Sequence, residues 1–303
     1  MKPAKKYYYS DVLSFMKKNY GKKLGKIGLS LNTPCPQEPP CIFCNKTSFI
    51  PSTIKGNLTV EEQIENGLPY VMNKYPTDSF IAYFQDNTST YGDLNYLKRS
   101  FKTALAHPKI KLLALSTRPD CICHELLTML KNISNGKEIW IELGLQSVHN
   151  STLKAIKRNH SYEEFLNAFR LIRKDTDFKI GIHLIIGLPE ESENMMFESF
   201  KEIDRIEPDY VKIHHLQVLK NTELERYYLE GEYRPLSLSE YIEVFSECLS
   251  FLNREIVIQR LLSRAHPDQL VAPVWGITAE QFKKRLFEYM DKNGLYQGSD
   301  RVN

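Results

Sequence analysis

The chain lacks any run of about 18 uninterrupted apolar residues, which excludes a helical membrane span. Its start, "MKPAKKYYYS", is positively charged but has no apolar stretch behind it, so no secretory signal is expected. Internal repeats, low-complexity tracts and long linkers are also missing. Neither sign of charge dominates, and a net charge of +3 is weak ground for a polyanionic partner. The expectation is a cytoplasmic chain with reduced thiols, in which clustered cysteines indicate metal binding or catalysis rather than disulfides.

What the chain does have is enough apolar material for one large domain with an appendage. Of its 303 residues 42% are hydrophobic, with 15 Phe and 17 Tyr to fill a core. Six short apolar runs read as strands covered on both faces: "KIGLSL" (26–31), "SFIAYF" (79–84), "IKLLALS" (110–116), "EIWIELGL" (138–145), "FKIGIHLIIG" (178–187) and "YVKIHHLQV" (210–218). Helix-period segments lie between them at 59–75, 93–107, 161–175 and 193–206. Thr59 with Glu62, and Ser161 with Glu164, have the capping-box spacing.

This β-then-α alternation predicts a parallel α/β sheet. Six units are too few for a closed eight-unit barrel and suit an open, partial TIM-like (β/α)6 barrel. After about residue 235 the alternation stops. A helix over 237–254, a strand-like "EIVIQRLL" and a last helix near 278–293 follow. The expected division is a basic N-terminal segment (1–24), an α/β core (25–234) and a C-terminal extension (235–303). Residues 1–26 hold eight lysines against one acid, Asp11, and include Tyr7, Tyr8 and Tyr9. That mixture suits phosphate contact and base stacking, and equally a solvated helical face.

Chemistry in such sheets sits at the carboxyl ends of the strands. The segments there are "TPCPQEPPCIFCNK" after the first strand, "QDNTSTYG" (85–92), "TRPD" (117–120), "QS" (146–147), "GLPEE" (187–191) and "KNTE" (220–223). Cys35, Cys41 and Cys44 are three thiols in ten positions. Three are one short of a closed structural zinc site, and match what an iron–sulfur cluster with one open iron needs. Phe43 would put an aromatic face beside that iron. Cys121 and Cys123 are a CxC pair two strands away, read as structural, and Cys248 lies on an apolar helical face and reads as core. No second cysteine cluster is evident.

At this point the sequence resembles a radical S-adenosylmethionine (SAM) enzyme, closest to the YhcC/YtqA-like family related to the catalytic subunit of the elongator complex. The resemblance covers nearly the whole chain. It rests on "CPQEPPCIFCNKTSF" (35–49), "FQDNTSTYG" (84–92), "STRPDC" (116–121), "ELGLQSVHNSTLKAIKRNH" (142–160), "HLIIGLPEES" (183–192) and "KIHHLQVLKNTEL" (212–224), in order after successive strands. One departure is visible: the spacing is C-x5-C-x2-C, where CxxxCxxC is common.

The resemblance implies a partial barrel of the radical SAM type with a [4Fe–4S] cluster on Cys35, Cys41 and Cys44, and SAM as cosubstrate. It places Phe43 beside the adenine, and Gln85, Asp86 and Asn87 in the segment meeting the methionine amino group. Gln146 would touch ribose and Arg158 the SAM carboxylate. His183 stands where related enzymes carry a ribose-directed acid, and Gly187 and Pro189 match a turn under the adenine. The implied partners are tRNA, modified at a wobble-uridine side chain, and an external electron donor of flavodoxin or ferredoxin type. The candidate reaction takes a carboxymethylaminomethyl group toward aminomethyl. Lys212, His214, His215, Arg260, Arg264 and His266 are candidate substrate contacts, with ordinary structural hydrogen bonding as the alternative for the histidine pair. The rival functions are a radical SAM enzyme acting on a protein or small metabolite, and a non-enzymatic zinc-binding module.

Overall fold

The computed structural model describes residues 7–45, 50–263 and 265–301. Arg264, Lys2, Lys5 and Lys6 lie outside the described residues. All six expected strands form: β1 (Gly25–Leu29), β2 (Phe80–Phe84), β3 (Ile110–Thr117), β4 (Glu138–Gln146), β5 (Lys179–Ile186) and β6 (Tyr210–His215). Crossover helices α2 (Val60–Lys74), α3 (Leu94–Ala106), α4 (His124–Ser134), α6 (Tyr162–Asp175) and α7 (Glu193–Ile206) separate them, with a short α5 (Asn150–Ala155) before α6. The capping boxes at Thr59 and Ser161 close through both arms, satisfying backbone donors that a helix start leaves open.

The sheet gains a seventh strand that the sequence pattern did not separate from the extension. β8 (Val257–Arg260) pairs parallel with β6, so the order is β1-β2-β3-β4-β5-β6-β8. Two-residue β7 (Val218–Leu219) pairs antiparallel with β9 (Leu270–Ala272), and α8 (Glu223–Leu229), α9 (Leu238–Ser250) and α10 (Ala279–Asn293) complete the chain. Lys212 Nζ on β6 donates to Tyr83 OH on β2 at 2.5 Å. Those strands are four steps apart, roughly 19 Å in a flat sheet. The sheet therefore curls into a half-barrel with both side chains inside it.

The interior is layered along the strands. Ile81, Leu112, Trp140, Tyr210 and Val257, near the strand starts, form an apolar plug with Met16 and Leu24. Helix α1 (Val12–Tyr20) closes this end, its Phe15 ring edge-on to Trp140 at 5.9 Å. This places α1 at the end remote from the cysteine loop, which follows the last residues of β1. Tyr8 stacks on Phe287 of α10 at 4.0 Å and Tyr9 tilts against the same ring, so these aromatics are spent on packing. Tyr7 is exposed. Outside the sheet, the helices pack a continuous core in which Phe84 meets Phe101 edge-on at 5.2 Å and Cys248 is fully buried, as its apolar face predicted. No helix among the described residues is long and apolar enough to cross a membrane.

Candidate active site

A cavity of about 390 Å³ opens at the carboxyl ends of the strands, and Cys35, Cys41 and Cys44 all line it. The loop bearing them is pinned at several points. Ile42 is 2% exposed among Leu153, Ile156, Leu188 and Leu224, with its N–H donating to Ile156 O and its carbonyl accepting from Leu224 N. Gln37 Nε2 donates to the Lys157 carbonyl at 2.8 Å. With Ile42 turned into the core, Phe43 next to it lines the cavity.

Among the described residues no three His, Cys, Asp or Glu groups stand close enough to hold a single metal ion. Two of the three cavity thiols lie beside polar neighbours. Cys35 Sγ is 3.4 Å from Thr88 Oγ1, and Arg158 Nη1 is 3.7 Å from Cys41 Sγ. Cys121, Cys123 and Cys248 do not line the cavity, and burial pushes the Cys121 thiol up to about 12.

Several expected cofactor contacts do face the cavity. Gln146 ends β4 at φ 80°, where the register to β5 slips. A non-glycine residue in that region costs free energy and turns its side chain out of the ordinary pleat. Arg158 is buried and holds the Gly144 carbonyl through Nε and Nη2, at 3.2 and 2.6 Å. The guanidinium lies against the bare Cα of Gly144, where a Cβ would stand 2.6 Å from Arg158 Nη2. Gln85 and Asn87 also line the cavity, with Asn87 Nδ2 donating to Thr33 O.

Three expected cofactor contacts fall elsewhere. Asp86 is buried against Ser30, whose hydroxyl donates to Oδ2, and burial raises its carboxyl. Gly187 is held by Met196 and by Tyr233 OH, which donates to its carbonyl at 2.8 Å. Neither Gly187 nor Pro189 lines the cavity, since Leu188 between them is buried in the cluster that anchors the cysteine loop. Among the substrate candidates, Lys212, His214, His215 and Arg260 line the cavity. His266 does not; it is exposed and 3.4 Å from Asp268.

Beneath the cavity lies a buried polar layer centred on Glu142, a residue that the apolar-run reading of β4 passed over. Glu142 is 0% exposed. Its Oε2 accepts from Tyr83 OH at 2.6 Å, Ser116 Oγ at 3.0 Å, Lys212 Nζ at 3.0 Å and His183 Nε2 at 2.7 Å. Its Oε1 accepts from Gln259 Nε2 at 3.1 Å. Burial works to raise this carboxyl, but Lys212, His183 and Lys26 outweigh it and hold it well below the usual range. Burial lowers Lys212 to about 7 against the pull of Glu142, and lowers His183 to about 4. His183 thus stays neutral near pH 7, donating from Nε2 and keeping Nδ1 as an acceptor. His215 is structural in its contacts: Nδ1 accepts from Ser263 N and the ring stacks on Trp275 at 4.4 Å. Arg118, also passed over, forks onto Asp120 at 2.8 and 3.0 Å, while its Nη1 is buried without a hydrogen-bond partner. The available signal was a charged residue inside, or just beyond, an otherwise apolar strand.

A curled parallel half-barrel, with a three-cysteine loop after its first strand and cationic groups over its carboxyl rim, defines a class of cofactor-dependent α/β enzyme. Comparison with known proteins gives the family. The profile of the Radical SAM superfamily matches residues 31–203, and that of the Radical_SAM C-terminal domain residues 208–292. The chain belongs to the Radical SAM superfamily, whose enzymes use a [4Fe–4S] cluster and SAM. It is 32% identical to uncharacterized protein MJ0486 of Methanocaldococcus jannaschii over 97% of this chain and 92% of that one. It is 28% identical to protein YhcC of Escherichia coli over 93% and 92%. A tRNA uridine(34) acetyltransferase of Methanocaldococcus infernus is 35% identical over 60% of this chain, and only 34% of its own length. Among solved structures, Elp3 of the same archaeon superposes with a TM-score of 0.67 at 21% identity, covering 90% of this chain and 64% of that one, which supports the fold.

The residues present fit the cluster. Three thiols from one loop share one cavity, and the positive groups nearest them are Arg158, beside Cys41, and Arg118, which has a donor to spare and feels the charge of Cys35 and Cys41. A thiolate-held cluster is anionic, and donors of this kind are what such sulfur-rich anions accept.

Proposed function

We propose that the chain is an enzyme that uses a [4Fe–4S] cluster on Cys35, Cys41 and Cys44 to cleave SAM reductively and modify tRNA at a wobble-uridine side chain. When bound, the cluster supplies the electron that splits SAM into methionine and a 5′-deoxyadenosyl radical. The chain's own residues bind, orient and exclude. Arg158, fixed on Gly144, is suited to a carboxylate, and Gln146 and Phe43 to the nucleoside part of SAM. Glu142, held ionised, and His183, held neutral near pH 7, are locked together in the floor by a hydrogen bond. The observation that carries the reading is the single cavity lined by all three cysteines, Gln146 and Arg158.

The tRNA part draws on the relative named as a tRNA uridine(34) acetyltransferase. The candidate conversion is carboxymethylaminomethyl to aminomethyl, with a flavodoxin- or ferredoxin-type protein as electron donor in the cytoplasm. Two experiments test this. Anaerobically reconstituted protein with dithionite and SAM is expected to form 5′-deoxyadenosine. Mass spectrometry of tRNA nucleosides from cells with and without the gene is expected to differ at a uridine; unchanged nucleosides defeat the tRNA reading.

A further inference from the structure

Among the described residues, no aspartate or glutamate lines the cavity, yet four permanently or readily charged cations do. They fall in two pairs. Arg118 and Arg158 belong to the cysteine side, following β3 and β4. Lys212 and Arg260 stand as register partners on β6 and β8, at the far edge of the sheet. Lys212 is 4% exposed and shares one carboxylate, Glu142, with His183 and Lys26. Arg260 has no side-chain hydrogen bond or ion pair among the described residues. It destabilises positive charge on Lys212, His214 and His183. Four neighbouring basic groups with one shared, fully engaged acid are an electrostatic deficit that an anion entering the cavity would relieve.

Resting on the radical SAM reading above, we propose that Lys212 and Arg260, flanked by His214, seat a carboxylate carried by the reacting group of the substrate, separate from the carboxylate of SAM. The cysteine-side pair faces the cluster and SAM, with Arg118 already forked onto Asp120, which leaves Arg260 as the cation without a partner among the described residues. A carboxylate suits the site better than a nucleic-acid phosphodiester. A phosphodiester is flanked by two sugars, and a cavity of about 390 Å³ shared with SAM does not admit that bulk. A side-chain carboxylate enters end-on, and the Arg260 fork and Lys212 ammonium match its two oxygens.

The test uses cluster-loaded protein with saturating SAM, without reductant and at fixed ionic strength. Binding of propionate and of its neutral analogue propionamide is followed by ligand-observed NMR. Propionate is expected to bind at least roughly tenfold tighter than propionamide, as a charge-assisted pair predicts. Arg260→Gln is expected to erase most of that preference, and Arg260→Lys to keep part of it. Arg260 is exposed at the end of an edge strand, so its variants are expected to fold. Equal binding of the two ligands, no binding of either, or an unchanged preference in Arg260→Gln overturns the proposal. Inorganic phosphate displacing propionate at equal or lower concentration overturns the carboxylate assignment in favour of a phosphate. The 5′-deoxyadenosine assay on the same preparation reports separately on the radical SAM reading. Protein that cleaves SAM but ignores propionate defeats this inference alone.

Discussion

Arg158 Nη1 stands 3.7 Å from the sulfur of Cys41, while Nε and Nη2 of the same guanidinium are fixed on the Gly144 carbonyl. The positive charge beside the cysteine loop is therefore set by strand β4 rather than by the loop. Replacing Arg158 with Lys keeps the charge but loses the planar fork, so the strand anchor and the sulfur contact cannot both be kept. Arg158→Lys is expected to weaken SAM binding about 10- to 100-fold with the fold intact, measured by equilibrium dialysis on the reconstituted protein.

Gly144 offers a second way to displace the same guanidinium. A methyl group there would stand 2.6 Å from Arg158 Nη2, and the tip of a flexible side chain yields more easily than backbone. Gly144→Ala is thus expected to cost little stability but to lower SAM affinity. Gly181→Ala is the contrasting case, since its Cβ would lie 2.1 Å from the ring of buried Tyr210. That ring cannot swing away, and overpacking of about 1–3 kcal/mol or more is expected as a lower urea midpoint. If both variants lose only stability, the link between Gly144 and SAM is wrong.

Glu142 balances several buried basic groups, so its removal is a test of charge pairing. Glu142→Gln leaves Lys212 uncompensated and is expected to destabilise by about 3–5 kcal/mol. Adding Lys212→Met should recover much of that loss, because the unpaired charge then disappears. A double-mutant cycle showing additive losses would contradict the pairing.

The strand positions were legible because buried parallel strands read as apolar runs, and the capping boxes were legible because Thr59 and Ser161 carry their partners three residues on. The layer inside the half-barrel was not. Tyr83, Glu142, His183 and Lys212 lie far apart in the chain, and only the curl of the sheet brings them together. Asp86 illustrates the limit at single-residue level. Its position after β2 suggested the cavity, but Asp86 is turned onto Ser30 at the end of β1 while Gln85 and Asn87 line the wall. The C-x5-C-x2-C gap was legible as a loop, and Gln37 and Ile42 show how that loop is tied down.

Acid should weaken the fold over a defined range. Burial lowers His183 and His215 to about 4, from an unfolded value near 6.5. Between those values the unfolded chain binds more protons than the native one, so stability is fully present above about pH 6.5 and is lost as pH falls toward 4. Glu142, held low in the fold, adds to the loss below about pH 4.5. Urea midpoints are expected to fall as the pH drops from about 6.5 to 4. His183→Gln should flatten the slope by up to one proton, and an unchanged slope would show that His183 protonates freely in the native state.

Ile42 joins packing to the cysteines and gives the sharpest separation of structure from chemistry. It is 2% exposed, packs with Leu153, Ile156, Leu188 and Leu224, and exchanges backbone hydrogen bonds with Ile156 and Leu224. Ile42→Ala is expected to lose about 2–5 kcal/mol, with the loss falling on the segment that holds Cys41 and Cys44 between fixed ends. Ile42→Val, expected to cost only about 0.5–1.5 kcal/mol, is the graded control. Iron content after anaerobic reconstitution should fall in the order wild type, Ile42→Val, Ile42→Ala. Cys35→Ala, whose half-buried side chain contributes little packing, should instead lose iron loading at nearly wild-type stability. Full iron loading in Cys35→Ala would remove Cys35 from the ligand set, and full loading in Ile42→Ala would show that the loop holds its cysteines without that anchor.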